Sequence, residues 1–344
     1  MITAGFDEPG RVWELRDPSG KLPSSRQEFA VSSVRHDVSL LPPPRVEEVS
    51  ENVFAYIQPD GSWWINNTGF LVGRRGVISV DACSTVRRTR AYLDAIGTVT
   101  SQPVRTLINT HHHGDHTFGN HLFDGATIVG HEATRTSVLQ WGEPGAAAAF
   151  WTDVEWGDVT IEPPFLTYTE GVTVWSDDLR AEVRHVGTPA HTTNDSIVWL
   201  PERGLLFSGD LLFNGGTPFL LQGSVAGAVK VLEEVVKPLG ATTIVPGHGG
   251  VAGPELVDEV LGYLRFVQRT ARAGRDAGLT PLETARETDL GEYAGLLDAE
   301  RIVGNLHRAY AELEDGPLGR PVDAAAALGD MVAYNGGRPL TCLA

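Results

Sequence analysis

The chain shows short apolar runs with the length of β-strands. Val53–Ile57 is the first, and similar runs follow at 69–72 and 77–80. Asp60-Gly61, between the first two runs, is typical of a hairpin turn. The pattern predicts that a sheet built from hairpins begins at residue 53.

Further along, apolar runs alternate with segments of helical period. The helical segments are 85–96, 131–140 and 224–239, and the strand-like runs are 104–108, 126–129, 172–175, 182–186, 196–200, 205–208 and 242–245. Hairpins mixed with β-α units favour sheets covered by helices on their outer faces.

The two ends of the chain differ from this middle part. Residues 1–46 are polar and contain proline, and the run Leu41-Pro42-Pro43-Pro44 favours an extended linker or strap. From Pro254 onward, helical spacing dominates. Periodicity leaves open whether these helices form a lid, a dimer face or a cover for the core.

Composition and charge narrow the class of protein. The chain has 344 residues, 42% of them apolar, two cysteines and a formal charge of −17. This charge argues against nucleic acid and against an acidic membrane surface as partners. With no basic and apolar leader and no long apolar run, the sequence predicts a cytoplasmic protein and leaves a homo-oligomer open.

The densest chemical signal is the segment Asn109–His116, which reads NTHHHGDH directly after an apolar strand. His111 and His113 alternate, so an extended loop can direct both imidazoles the same way. Asp115 and His116 then follow at the turn into a helix. Such a set suits zinc or a similar divalent ion, whereas the competing interpretation is a solvated polar loop.

Three later residues extend this signal. His191, Asp210 and His248 each follow an apolar strand and lie among small residues. Together with the HxHxDH motif at 111–116, they resemble the metallo-β-lactamase-fold metallohydrolase superfamily, as does the aspartate of Val80-Asp81. The resemblance implies an α+β fold, an αββα four-layer sandwich with a helical C-terminal extension. It predicts an N-terminal extension (1–46), a catalytic domain (47–275) and the helical extension (276–344).

The resemblance also implies a ligand set for two divalent metal ions. One ion would be held by His111, His113 and His191, the other by Asp115, His116 and His248, with Asp210 bridging both. The ions would be Zn²⁺, with Mn²⁺ or iron as alternatives, and a hydroxide between them would be the nucleophile. Asp115 is the predicted catalytic residue, because it could orient that hydroxide and take up a proton.

Other polar residues are predicted to hold the ligands in place. Asp81 could accept the second N–H of a ligand imidazole, and Thr110 and Asn120 could act similarly. His112 is expected to turn away from the metals.

The motifs also indicate a branch of the superfamily. Asp210 stands where true β-lactamases of this fold carry Cys or Ser, and His113 stands where oxygen-reducing diiron members carry Glu. What remains is hydrolysis of a small ester, thioester or lactone. Phe207–Phe213 resembles the matching segment of glyoxalase II-type thioesterases, but no basic glutathione-binding cluster follows it. The alternative is a non-hydrolytic cyclase or lyase that uses the same site.

Aromatic residues bear on the substrate. Trp63, Trp64, Trp141 and Trp151 could wall a pocket for a bulky apolar or aromatic acyl group, or could simply build core. The first interpretation, with a resemblance to polyketide thioesterases, favours a substrate from bacterial secondary metabolism. The predicted partner is a small molecule, free or as a thioester on a carrier protein.

Overall fold

Two β-sheets lie face to face in the computed structural model, which describes residues 41–145 and 149–344. The strands are β1 (Arg45–Ser50), β2 (Val53–Ile57), β3 (Thr68–Gly73), β4 (Gly76–Val80), β5 (Val104–Ile108), β6 (Thr127–His131), β7 (Leu166–Tyr168), β8 (Gly171–Ser176), β9 (Leu179–His185), β10 (Ser196–Leu200), β11 (Leu205–Phe213) and β12 (Thr243–His248). The helices are α1 (Val86–Val99), α2 (Gly114–Thr117), α3 (Glu132–Trp141), α4 (Val225–Val231), α5 (Glu255–Asp276), α6 (Pro281–Glu287), α7 (Arg301–Glu312) and α8 (Ala324–Tyr334).

The first sheet contains β1 to β7 in chain order, and the second has the order β12-β11-β10-β9-β8. In the first sheet, β1 to β4 pair antiparallel and β4 to β7 pair parallel. In the second, β11 and β12 are parallel and the other neighbours are antiparallel. Because β-α units supply the parallel strands, helices are available to cover the outer faces.

Apolar side chains separate the layers. Val80 and Ile108 of the first sheet and Val198 and Phe207 of the second are buried in one cluster between the sheets. A second cluster joins the first sheet to α1, and a third joins the second sheet to α4, α5, α7 and α8. The predicted αββα sandwich with C-terminal helices is therefore confirmed.

The structure differs from the predicted elements at several points. β1 begins at Arg45, inside the predicted extension, and pairs with β2. Its sequence RVEEVS lacks a continuous apolar run because β1 is a partly exposed edge strand. The short strand β7 was likewise missed, and Asp60-Gly61 lies within the long connection 58–67 rather than in a two-residue hairpin.

The C-terminal helices share the core of the sandwich. Ile302 and Leu306 of α7 belong to the same buried cluster as Trp199 and Ile244 of the second sheet. The predicted domain boundaries at 46 and 275 stay predictions, and residues 1–40 of the extension lie outside the described residues. None of the described helices is both long and apolar enough to cross a membrane.

Candidate metal centre

The seven residues predicted as metal ligands converge at one place in the fold. The loop after β5 carries the HxHxDH motif into α2, the β9–β10 connection carries His191, and His248 is the last residue of β12. Asp210 was expected to follow its strand, but it lies inside β11. Gly209 has a φ of 52°, and the β11–β12 register shifts beside it, so the ladder distorts locally while the strand continues.

The ligand atoms form two groups that share one carboxylate. His111, His113, His191 and Asp210 form the first group, and Asp115, His116, Asp210 and His248 form the second. Within each group the candidate ligand atoms all lie within 4.8 Å of one another. The structure therefore brings together two groups of candidate ligands that have one carboxylate in common.

Asp210 occupies the centre of this arrangement. Its Oδ2 lies 3.3 Å from Nε2 of His191 and 3.3 Å from Nε2 of His248. Its Oδ1 lies 3.0 Å from Nε2 of His116. Gly247 makes room for this carboxylate, because a Cβ at that position would lie 1.9 Å from Asp210 Oδ1.

Each candidate imidazole has one nitrogen that is directed away from the cluster, and that nitrogen has a hydrogen-bond partner of its own. His111 Nδ1 contacts Thr110 Oγ1, His113 Nε2 contacts Gln222 Oε1, His116 Nδ1 contacts Asp81 Oδ2, His191 Nδ1 contacts the Phe219 carbonyl, and His248 Nδ1 contacts the Gly61 carbonyl. Such contacts fix the ring orientation and the tautomer, and they are typical of metal-ligating histidines. Each imidazole thus presents its remaining nitrogen to the cluster.

Asp81 connects the two ends of the motif. Its Oδ1 accepts from the Thr110 backbone N–H at 2.8 Å, and its Oδ2 contacts Thr110 Oγ1 at 2.8 Å and His116 Nδ1 at 2.9 Å. The residue has a φ of 61°, a conformation that Asp tolerates better than most side chains. Asp81 and Thr110 therefore lie where the sequence placed them, next to ligand imidazoles.

Asn120 is placed less directly than Asp81 and Thr110, because none of its hydrogen bonds in the described part of the chain reaches a candidate ligand ring. It pairs with Asn109, which donates to the His116 carbonyl, so Asn120 supports the motif backbone rather than a ligand ring. His112 is buried and contacts Asn194 through Nδ1 at about 3 Å. It belongs to neither ligand group, as expected.

Burial and charge shift the pKa values of the cluster in both directions. Burial lowers the pKa of His191 to about 3, and burial with the nearby His116 holds the pKa of His111 well below its usual value. Burial alone would raise the pKa of Asp210, but His116, His248 and His191 hold it well below its usual value. Burial also acts against the charged forms of His116 and His248, but Asp210 and neighbouring carboxylates raise both pKa values, that of His248 to about 9. The cluster thus combines low-pKa imidazoles with two cationic ones that face the ionised carboxylate of Asp210.

The residues fit divalent cations. Within the described part of the chain, His111 Nε2, His116 Nε2 and Asp210 Oδ1 are buried without a well-directed hydrogen bond, although the last two are 3.0 Å apart. His111 belongs to the first ligand group, His116 to the second and Asp210 to both. Unsatisfied buried polar atoms are costly, and cations that accept their lone pairs would remove this cost. Nitrogen and carboxylate donors in sets of this size suit zinc and similar ions. The fold and these groups imply divalent metal ions.

A cavity opens above the cluster, and aromatic side chains form much of its wall. The four predicted tryptophans, Trp63, Trp64, Trp141 and Trp151, all line it together with Asp115, His191, Asp210 and His248. Trp63 and Trp151 are also members of the main buried cluster. These two tryptophans therefore line the cavity and also pack in the core.

Sequence reasoning missed several residues of the cavity. Phe213 stacks on His248 with ring centroids 4.9 Å apart, and Phe219 and Gln222 line the wall beside the ligands. Arg301 and Leu328 come from α7 and α8, far from the motif in sequence. The apolar period of the segment around Arg301 predicted only a helix, and no local pattern indicated its proximity to the metal centre.

Comparisons with known proteins agree with this geometry. The sequence model of the metallo-beta-lactamase superfamily matches residues 61–248, which include all seven candidate ligands. Hydroxyacylglutathione hydrolases from Brucella ovis and Brucella abortus are 30% identical over 145 residues, 41% of this chain and 47% of each relative. The chain thus spans about half the length of these curated relatives.

Solved structures support the fold. A metallo-beta-lactamase from Pontibacter korlensis aligns with a TM-score of 0.54 at 20% identity, over 65% of this chain and 99% of that chain. The DIM-1 metallo-beta-lactamase aligns with a TM-score of 0.53 at 18% identity, over 66% and 98%. At these identities the likeness concerns the fold alone.

Proposed function

This chain belongs to the metallo-beta-lactamase superfamily, and on that basis we propose that it is a dinuclear metal-dependent hydrolase of a small-molecule ester, thioester or lactone. The observation that carries the proposal is the shared carboxylate of Asp210, which contacts imidazoles of both ligand groups. A carboxylate between two cations reduces the repulsion between them, so this arrangement favours two ions over one.

The first site consists of His111, His113 and His191, and the second of Asp115, His116 and His248, with Asp210 common to both. We favour zinc, since the imidazole-rich donor set suits it, with manganese or iron as alternatives. When bound, such a pair of cations lowers the pKa of a coordinated water toward neutrality and polarises the oxygen of the scissile carbonyl group.

Asp115 has the position of a proton acceptor. Its Oδ2 lies 3.3 Å from His248 Nε2, and the residue lines the cavity where a substrate would approach. His116 and His248 hold the pKa of Asp115 below its usual value although burial alone would raise it, so the carboxylate is ionised. It can orient the attacking water and receive its proton.

The cavity wall supports a bulky apolar or aromatic acyl group as substrate. Trp63, Trp64, Trp141 and Trp151 offer large flat surfaces around the cluster. The partial similarity to hydroxyacylglutathione hydrolases supports a thioester. The acyl group would be free or attached to a carrier protein.

The direct test combines metal analysis with product identification. Protein purified without added metal, and then supplied with zinc, is expected to contain two ions per chain by elemental analysis. A panel of aryl thioesters, aryl esters, lactones and phosphodiesters is then assayed, with the products identified by mass. Hydrolysis should yield the carboxylic acid and the free thiol or alcohol, and activity should disappear on chelation and return with zinc.

Each outcome decides a separate part of the proposal. A stoichiometry of one ion or fewer after zinc supply contradicts the dinuclear arrangement. Products isomeric with the substrate, or formed by elimination without uptake of water, favour the cyclase or lyase alternative. Turnover of phosphodiesters with none of the acyl substrates contradicts the proposed substrate class.

A further inference from the structure

Arg301 lies at the start of α7, outside the region that matches the superfamily model, yet it lines the cavity above the metal-ligand cluster. Its side chain is 2% exposed. An arginine is almost never buried so deeply unless its charge is paired and its N–H groups are satisfied.

The guanidinium is held on two sides. Its Nη1 donates to the Thr217 carbonyl at 2.9 Å, and its Nη2 lies 2.8 Å from Asp298 Oδ2. Its plane covers the Trp63 ring at 4.0 Å from the ring centroid, and the Phe213 ring is 5.4 Å away. These contacts fix the cation against the aromatic wall.

These contacts do not use all of the N–H donors of the Arg301 guanidinium. A guanidinium has five N–H bonds, and within residues 41–145 and 149–344 its Nε–H has no hydrogen-bond partner. The Asp298 Oδ2 atom is also without a well-directed hydrogen bond, although it is close to Nη2. The cation is thus anchored, and it lines the cavity with one N–H group left without a partner.

We propose that Arg301 binds an oxyanion group of the substrate, a carboxylate or a phosphate, at a point remote from the bond that is cleaved. The planar guanidinium matches such groups through charge-assisted hydrogen bonds, whereas a neutral amide would accept only weaker ones. The Trp63 and Phe213 rings exclude water around it, which strengthens the interaction. The inference rests on the proposed hydrolase function and narrows its substrate to anionic acyl compounds.

Arg308 provides a matched control on the same helix. It is 1% exposed and donates to the carbonyls of Leu221 and Arg320, but it does not line the cavity. Arg308→Met therefore removes a buried arginine of α7 whose own side chain does not line the cavity, although its partner Leu221 does. Comparison of the two variants separates a binding role from a role in helix packing.

The experiment uses the zinc-supplied full chain and 4-nitrophenyl monoesters of adipic and suberic acid. Each is compared with its ω-primary amide and with its ω-phosphonate counterpart. We expect Arg301→Met to lower the ratio of kcat/KM for acid over amide by about 10- to 100-fold, the range of charge-assisted hydrogen bonds. Arg308→Met should leave this ratio unchanged. The phosphonate shows whether carboxylate or phosphate is preferred.

Binding without turnover keeps this test independent of the hydrolase proposal. Calorimetry measures the Kd of suberanilic acid and of its primary amide, and Arg301→Met should weaken binding of the acid selectively. If Arg301→Met fails to fold because Asp298 loses its partner, the neutral pair Arg301→Met/Asp298→Asn replaces it. Equal losses for acid and amide, or an acid Kd that does not change, overturn the role of Arg301. Selective binding without hydrolysis would retain it and contradict only the proposed reaction.

Discussion

The metal-ligand cluster and the wall of the cavity above it are built from different parts of the chain. The cluster consists of polar side chains on strands and loops between residues 111 and 248. The wall combines tryptophans from 63 to 151 with Arg301 and Leu328 of the C-terminal helices. The imidazoles of the cluster are held by hydrogen bonds to residues around it, whereas the tryptophans of the wall are held mainly by aromatic packing.

This difference between the metal-ligand cluster and the cavity wall indicates how one fold can serve several reactions. Every imidazole of the cluster is fixed by a partner, so most substitutions there would disturb metal binding. Wall residues such as Trp63 and Trp151 pack against each other rather than hydrogen-bond to the candidate ligand imidazoles, so substitutions there can change the substrate with less effect on the metals. Variants of the two regions should therefore differ in metal content as well as in activity.

The largest effect is expected from Asp210→Ala. Removing the shared carboxylate leaves buried cations without their common partner, which costs about 3–5 kcal/mol and lowers metal affinity by a hundred-fold or more. Elemental analysis should find at least one ion lost and most activity gone. His112→Ala is the control and should retain both ions, because His112 contacts Asn194 rather than the cluster. Equal loss of metal and activity in Asp210→Ala and His112→Ala would show that the geometry assigned to the loop at 111–116 is wrong.

A smaller effect is expected from Asp81→Asn. The amide keeps the shape of the side chain but replaces an ionised acceptor of His116 and Thr110 by a neutral one. Loss of such a supporting contact lowers metal affinity by about 10- to 100-fold. Competition with a chromogenic chelator measures this. An affinity equal to that of the wild type would mean that Asp81 does not hold the ligand ring.

Trp141→Ala tests the wall. Trp141 lies edge-to-face with His113 at 5.6 Å but is not a ligand, and it is not part of the main buried cluster. Removing an aromatic surface worth about 25 cal/mol per Å² should lower kcat/KM for a bulky acyl substrate by about ten-fold. A small ester should change little, and metal content should stay at the wild-type value.

Trp63→Ala is the companion variant, because Trp63 also packs in the core and donates to Glu300 at 2.8 Å. It should lose thermal stability as well as the bulky substrate. If Trp141→Ala instead loses both substrates equally together with stability, the ring belongs to the core and the inference of a large substrate falls.

The smallest expected effect is on the pH dependence of the free energy of unfolding, to which Asp298 beside the cavity wall contributes. Burial raises the pKa of Asp298 to about 6, although Arg301 lowers it. The unfolded chain loses this proton near pH 4, so the folded state becomes less favourable as pH rises from about 4 to 6. Asp298→Asn removes this dependence. Relative to the wild type, its free energy of unfolding should therefore be about 1 kcal/mol more favourable at pH 7 than at pH 5.

Chemical denaturation at the two pH values measures this difference and cancels the titration of histidines common to both proteins. A difference that is the same at pH 5 and pH 7 would show that Asp298 is already ionised at pH 5.

Much of this protein follows from local sequence. The apolar runs predicted β2 to β6 and β8 to β12 within a few residues, because buried strands need continuous or alternating apolar side chains. The motif at 111–116 concentrates four candidate ligands in one short segment. The strand-associated positions of His191, Asp210 and His248, with the family resemblance, indicated the remaining candidates, and the structure brings all seven together.

The tertiary structure alone decided which distant residues meet this cluster. The apolar pattern did not predict β1, because an edge strand needs little apolar surface. Asp210 lies inside β11 because Gly209 lets the strand ladder distort there. Gln222 and Arg301 have no local signature, since their importance lies in contacts to residues far away in the chain. Ligand chemistry is encoded in residue type and spacing, whereas the shape and charge of the cavity wall arise only when separate helices pack together.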